Sequence, residues 1–176
     1  MQFMATEQAL LHIWVGEPWR ALELLESALS APDHIEVNGE MGQLLVLAAR
    51  AAADLAAAGS AAAELQGRLR NLHAAANVDP FTSGAMPVDL HAAPQWAAEL
   101  ARLNGTESIQ QWGRAADAWD KLSWPHEAAY CRWRGAQVAL RENHATVAGR
   151  LLKRAATDAH QHVPLTRVIA ATARGS

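Results

Sequence analysis

The 176-residue sequence contains one cysteine, one tyrosine, two phenylalanines and no long uninterrupted apolar run. A single cysteine, Cys131, cannot form a disulfide within the chain, which is typical of proteins from a reducing compartment. No apolar run reaches the roughly 20 residues that a membrane-spanning helix needs. The first residues also lack the basic and apolar regions of a signal peptide. We therefore expect a soluble, cytoplasmic protein that makes no membrane contact.

The sequence has no large excess of either charge. Fifteen lysine and arginine residues nearly balance eighteen acidic residues, which gives a formal net charge of −3. This balance provides no general attraction to nucleic-acid phosphates or to anionic lipid. It predicts that the chain does not bind nucleic acid directly.

The motifs of common catalytic and cofactor sites are absent as well. The sequence contains neither GxxxxGK[ST] nor GxGxxG, which bind nucleotide phosphates, and no HExxH, CxxC or GxSxG. The eight histidines are scattered. The tightest group is Asp158, His160 and His162, and only Asp158 and His162 would share a helix face. We therefore interpret this group as a solvated helix end and not as a metal site. A small hydrolase that uses the histidines would lack a nucleophile, a base and an orienting group. We predict no enzyme, no cofactor and no metal.

Alanine and helical periodicity dominate what is present. The sequence is 51% hydrophobic, and apolar residues recur at spacings of three and four along most of the chain. This pattern predicts one all-α domain over residues 1–176, with roughly nine helices and a break in the loop-like stretch 77–87. Gly16 and Gly59 are predicted to end helices, and Pro94 to delay the start of one. The predicted capping residues are Thr6, Ser60, Asp89 and Asn143.

The clearest structural signal is the stretch WDKLSWPHEAAYCRWR, residues 119–134. An apolar stripe indicates a helix that ends near Leu122, and Pro125 suits the first turn of the next helix. The two helices are predicted to form an antiparallel αα-hairpin. The stretch GEPWRALELL around Pro18 repeats this turn-and-helix pattern, so we expect a tetratricopeptide-like antiparallel helix-hairpin array, an α-solenoid.

In such arrays the first helix of each pair lines the concave side. The predicted helices 106–122 and 143–162 would then carry a binding surface, with 125–141 packed behind. Arginine and amide side chains off the apolar stripe could donate hydrogen bonds to a partner's carboxylates or carbonyls. The candidate partner-binding residues are Gln110, Gln111, Arg114, Arg150 and Arg154.

Two alternatives concern the same helices. The five candidate side chains could form only a solvated face. The later helices are locally basic, and such a set usually faces solvent; its members are Arg132, Arg134, Arg141, Arg150, Lys153 and Arg154. The tryptophans could line an aromatic groove, although their helical spacing favours a place in the core for Trp112, Trp119, Trp124 and Trp133. Cys131 is interpreted as a small packing residue.

Several stretches together resemble a known family. NLHAAANVDPF, QWAAELARLNG, WGRAADAWDKLSWPHEAAYCRWRGAQVAL, RLLKRAATDA and PLTRVIAATAR, within residues 72–174, are similar to the helical region of large LuxR-type transcriptional regulators of actinobacteria. That family carries a string of the form W..LG.PYE.AYARWR. Here Ser123 replaces its glycine, His126 its tyrosine, and Gln161, His162 and Val163 its usual Leu-Gly-Ala.

The resemblance implies a role and its partners. In the family this region lies in a tetratricopeptide-like array between an AAA/STAND-type ATPase and a C-terminal helix-turn-helix that binds DNA. We therefore expect part of a larger regulator: a non-enzymatic module that receives a signal by binding a protein, a peptide or a small effector. It would pass that signal to the neighbouring ATPase and helix-turn-helix domains. The alternative is a stand-alone tetratricopeptide-like adaptor that binds peptides or partner proteins.

Overall fold

The computed structural model describes residues 2–30, 41–76, 79–82 and 87–175. Within these ranges the chain forms nine α-helices and no strand, so the predicted all-α class is confirmed. The helices are α1 (Gln2–Trp14), α2 (Pro18–Ser30), α3 (Met41–Ala57), α4 (Ala62–Ala75), α5 (Pro87–Leu103), α6 (Ile109–Lys121), α7 (Pro125–Arg141), α8 (Ala145–Asp158) and α9 (Val163–Arg174).

Most helix ends lie where proline and glycine predicted them. Pro18 and Pro125 are the first residues of α2 and α7. Gly16 lies in the turn between α1 and α2 and has a φ of +83°. This left-handed backbone conformation is unstrained for glycine because glycine has no Cβ atom. Leu122 caps the C-terminus of α6, as predicted.

Three predicted caps are wrong. Thr6 lies inside α1, which begins four residues earlier. Ser60 donates its backbone N–H to the Leu55 carbonyl and so belongs to the end of α3, while Ala61 precedes α4. Asn143 has a φ of +62°, a left-handed conformation that turns the chain after α7. The residue that precedes α8 is therefore His144.

Two further predictions concern α5 and are also wrong. Asp89 lies in its first turn, buried, and binds another helix. Pro94 lies inside the helix and does not delay its start. Buried residues on both sides of it, Ala92 and Ala98, hold α5 in place, so tertiary packing outweighs the local cost of a proline.

The chain divides into two compact units, Met1–Thr106 and Glu107–Ser176. The first contains α1 to α5 and is built around α3, which packs against α1, α2, α4 and α5. Every residue of α3 from Leu44 to Ala53 is buried. Alanines on several sides of α3 allow this many neighbours to approach. The predicted break, residues 77–87, includes residues outside the described ranges.

The second unit is built around α7, which packs against α6, α8 and α9. In the pair α6 and α7, Asp120 contacts Arg132 and Glu107 contacts Arg141, so the residue order is reversed and the hairpin is antiparallel, as predicted. A Cβ atom on Gly135 would lie 3.3 Å from Cβ of Trp112 and 3.5 Å from Cδ1 of Leu151. This glycine therefore allows both α6 and α8 to pack closely on α7.

The tryptophans of this unit belong mainly to its core. Trp112, Trp119 and Trp133 are buried, and the half-buried Trp124 stacks on Trp119 with ring centroids 5.3 Å apart. Cys131 is fully buried, as expected of a packing residue. These aromatic side chains pack within the hairpin and stabilise it.

Candidate protein-interaction surface of α6 and α8

The start of α6 is fixed by a reciprocal pair of hydrogen bonds. The Ser108 hydroxyl accepts the Gln111 N–H at 3.2 Å, and Oε1 of Gln111 accepts the Ser108 N–H at 2.9 Å. This capping box could have been found in the sequence, since serine followed three residues later by glutamine is its signature. The side chain of Gln111, one of the five candidate residues, therefore serves the helix to which it belongs.

Two other candidates lie on the solvent side of α6. Gln110 and Arg114 are both exposed, one helical turn apart on the same face. Trp112, between them in sequence, points into the core. Their donor groups are thus accessible to solvent.

A chain of ion pairs crosses the second unit from α6 to α8. Arg132, buried on α7, donates to Asp120 of α6 and, at 2.8 Å, to Oδ2 of Asp158 on α8. The same Asp158 oxygen accepts the Nε–H of Arg154 at 2.9 Å. A buried guanidinium must be paired to be tolerated, so the two carboxylates fix it and tie three helices together.

Arg154 belongs to this series of ion pairs, but its side chain is exposed on the surface. The hydrogen bond to Asp158, and then the negative charge of that carboxylate, raise the pKa of Arg154 above its usual value. The group is permanently charged in either case. Arg150 lies one turn earlier on α8 and is also exposed. Both are candidate residues, and both remain open to a partner.

The candidates on α6 and α8 lie at the same level along α7. Gly135 of α7 is the close neighbour of both Trp112 and Leu151. Trp112 lies within the segment that carries Gln110 and Arg114, and Leu151 lies within the segment that carries Arg150 and Arg154. The structure therefore places the two groups at matching heights on the two helices that flank α7.

Exposed positive charge continues from α8 onto α9, a helix that contributed no residue to the predicted basic set. From Asn143 to Gly175 the only acidic residue is Asp158, which is engaged by Arg132 and Arg154. The absence of other acidic residues was the signal that could have identified this surface. Helix α9 adds two exposed arginines to those of α8. We define the basic surface by its exposed residues Arg150, Lys153, Arg154, Arg167 and Arg174.

Other arginines of the locally basic set have structural contacts. The Arg134 guanidinium lies 4.4 Å from the ring centroid of Trp133, and its Nε–H donates to the Tyr130 hydroxyl at 3.0 Å. Arg141 pairs with Glu107, which also accepts the indole N–H of Trp112 at 2.6 Å. These contacts stabilise the hairpin, so the basic surface is confined to α8 and α9.

Of the described histidines, His126 and His162 lie in contact, with ring centroids 5.3 Å apart. His160 bonds the Thr157 carbonyl, and His162 accepts the Leu165 N–H at 3.2 Å as the N-cap of α9. Across the described part of the chain, no three His, Cys, Asp or Glu side chains form a cluster that could hold a metal ion. Among the same residues, no helix has both the length and the apolar character needed to cross a membrane.

We compared the chain with protein-family models, curated proteins and solved structures. The chain matches no family model, no curated protein and no solved structure. The resemblance to LuxR-type regulators and the tetratricopeptide-like arrangement stay predictions, and the all-α architecture is what the structure establishes.

Proposed function

We propose that this chain is a non-enzymatic helical-repeat module that binds an acidic segment of a partner protein through its basic surface. The observation that carries the proposal is the exposure of five cationic side chains on α8 and α9 in a region with one acidic residue. That residue, Asp158, is already neutralised by two arginines. Gln110 and Arg114 are further exposed donors, on α6.

The arrangement of the helices supports a repeat module. The starts of α6 and α8, Ile109 and Ala145, are separated by roughly the 34-residue period of tetratricopeptide repeats. Each of these helices is followed by a partner after a short turn, α7 after α6 and α9 after α8. Small residues at close contacts, such as Ala128 and Gly135, match the way such repeats pack. Stacked pairs of this kind present extended surfaces to peptides.

A carboxylate-bearing protein segment fits this surface better than nucleic acid. The whole chain is negative, with a formal charge of −3. Residues 1–106 hold five basic and twelve acidic side chains, a charge of −7, and this excess of negative charge disfavours the binding of a long polyanion. A short acidic segment can reach the guanidinium groups without that cost. Arginine also binds carboxylates in a bidentate manner.

Within this proposal the chain is part of a larger LuxR-type regulator, and its partners are the neighbouring ATPase and helix-turn-helix domains. It would receive a signal there by contact with a protein, a peptide or a small effector. The alternative function is a stand-alone adaptor with the same surface. A coding sequence that continues into a helix-turn-helix would favour the regulator, and one without it would favour the adaptor.

The binding proposal is tested with a fluorescein-labelled peptide of alternating glutamate and leucine residues, measured by fluorescence anisotropy. The double variant Arg150→Glu/Lys153→Glu should weaken binding by at least about tenfold, while its melting temperature stays close to that of the wild type. The control Arg70→Glu/Lys121→Glu makes the same change in net charge on exposed residues outside the basic surface. It should bind the peptide nearly as well as the wild type.

Two results would refute the proposal. Equal weakening by the control would mean that only net charge matters. Tighter binding of a labelled DNA duplex than of the peptide, at the same ionic strength, would mean that the surface selects phosphates.

A further inference from the structure

Exposed apolar side chains are concentrated at the corner between α1 and α2. Leu11, Val15 and Trp19 are 61%, 59% and 49% exposed. The Val15 N–H donates to the Leu11 carbonyl at 3.0 Å, so helical geometry continues past α1 and stacks Val15 on the Leu11 side of the helix. Trp19 follows across a tight turn as the second residue of α2. Clustered exposed apolar groups of this size are typical of interaction sites.

Acidic residues flank this apolar group. Glu7 lies one turn before Leu11 on α1, and Glu23 lies one turn after Trp19 on α2; both are exposed. Glu17, within the turn, is held by His12 at 2.9 Å and by Arg20 at 3.1 Å. We define the α1–α2 corner by Glu7, Leu11, Val15, Trp19 and Glu23.

The basic surface has complementary features. Val163, the first residue of α9, is 58% exposed. Arg167 lies one turn further along the same face of α9, and Arg174 lies two turns beyond that. An exposed apolar side chain thus has a positive charge one turn away. At the α1–α2 corner the exposed apolar side chains lie between Glu7 and Glu23, and the one cation that the structure describes there, Arg20, which is 5.0 Å from the Trp19 ring centroid, is paired with Glu17.

The net charges of the two units have opposite signs, and each sign matches that of the surface which the unit carries. The first unit carries −7, while residues 107–176 hold ten basic and six acidic side chains, a charge of +4. Every chain therefore carries both members of a complementary pair of surfaces. Two copies can satisfy one such pair, and the remaining two surfaces stay available.

We infer that the α1–α2 corner of one chain docks on the basic surface of a second copy of the same chain, in a head-to-tail arrangement. This inference rests on the proposed function, because it takes the basic surface as a protein-binding surface, and it adds a second copy of the chain to the proposed partners. The contact is heterologous: different patches meet, so a dimer retains one free corner and one free basic surface. Association can therefore continue beyond two copies.

The expected association is weak and sensitive to salt. Few apolar side chains are exposed at each surface, which corresponds to a small, transient interface. The screening length falls from about 8 Å at roughly 0.15 M salt to about 3 Å at roughly 1 M. The average mass measured by sedimentation equilibrium should rise steadily with protein concentration at the lower salt, and less at the higher.

The decisive experiment is complementation between two variants, each with one damaged surface. Leu11→Ser/Trp19→Ser removes the apolar part of the corner, and Arg150→Glu/Arg167→Glu reverses charge on both helices of the basic surface. All four residues are exposed, so both variants should keep the wild-type circular-dichroism spectrum. Each variant alone should self-associate at least about tenfold more weakly than the wild type. Mixed in equal amounts, they should form a heterodimer that does not grow further.

The control variant Leu90→Ser removes an exposed apolar residue outside the corner and should associate like the wild type. Three results would overturn the inference: a wild-type chain that stays monomeric at all concentrations, variants that associate as the wild type does, or a mixture that remains monomeric. If peptide binding to the wild-type chain persists in any of these cases, the proposed function stands and only the second copy as partner is wrong.

Discussion

The backbone N–H of Gly42, in the first turn of α3, donates a hydrogen bond of 2.8 Å to Oδ1 of Asp89, in the first turn of α5. Asp89 is buried, and a Cβ atom on Gly42 would lie 2.6 Å from the same oxygen. The carboxylate therefore satisfies a free donor at the start of another helix and faces the positive end of its dipole. The contact links the two helices that form the centre of the first unit.

Gly42→Ala should destabilise the first unit by about 1–3 kcal/mol, because the added methyl group has no space beside Asp89. Urea unfolding followed by circular dichroism measures this change. Gly67→Ala is the control: its Cβ would meet only the Arg70 guanidinium at 3.9 Å, so alanine should stabilise α4 by about 0.5–1 kcal/mol. Destabilisation of the same size in both variants would contradict the close contact.

Trp119→Ala should destabilise the second unit by about 3–5 kcal/mol, since it removes a large buried side chain where α6 meets α7. Thermal unfolding in the far ultraviolet measures the loss. Val163→Ala, at a residue that is 58% exposed, is the control in the same unit and should change stability by less than about 0.5 kcal/mol. An unchanged melting curve for Trp119→Ala would place the ring outside the core.

Asp158→Ala should be more destabilising than Asp120→Ala, although both carboxylates bind Arg132. The side chain of Asp158 is 14% exposed and accepts bonds from two arginines, whereas that of Asp120 is 38% exposed. Losing the more buried acceptor should cost about 1–3 kcal/mol, and losing the exposed one less than about 1 kcal/mol. In an Arg132→Met background the cost of Asp158→Ala should fall. An equal cost in both backgrounds would mean that the pair is energetically uncoupled.

The pKa of Glu17 should lie below its usual value of 4.5, chiefly because the His12 ring donates a hydrogen bond to its carboxylate and also because Arg20 is close. A depressed pKa contributes stability above the unfolded-state pKa, which is lost as the pH falls through the folded-state pKa. A carbon-detected NMR titration measures the value. His12→Ala should raise it more than Arg20→Ala, and the opposite order would reverse the assigned causes.

The sequence predicted elements whose signals are local. Periodicity identified the helices, and Pro125 and Gly16 located turns correctly because their backbone restrictions act within a few residues. The exposed positions of Gln110 and Arg114 followed from the apolar stripe of α6 in the same way.

What the sequence did not predict depends on contacts between distant residues. Asp89 was expected to cap the helix that contains it, and it binds Gly42 because the packing of α5 on α3 brings it there. The pairing of Arg132 with both Asp120 and Asp158 required the antiparallel register of three helices. The contribution of α9 to the basic surface was missed: the lack of acidic residues other than Asp158 was visible in the sequence, but the exposure of Arg167 and Arg174 was not.

The most direct test of the central claim, that the basic surface of α8 and α9 binds acidic protein segments, is a map of amide chemical-shift changes. The glutamate-leucine peptide is titrated into isotope-labelled protein and two-dimensional ¹⁵N spectra are recorded. The account predicts that the shifts concentrate at α8, α9 and the Gln110 to Arg114 segment of α6, and that they disappear in Arg150→Glu/Lys153→Glu. Shifts that centre on Arg68 and Arg70 of α4, or that persist in the variant, would contradict it.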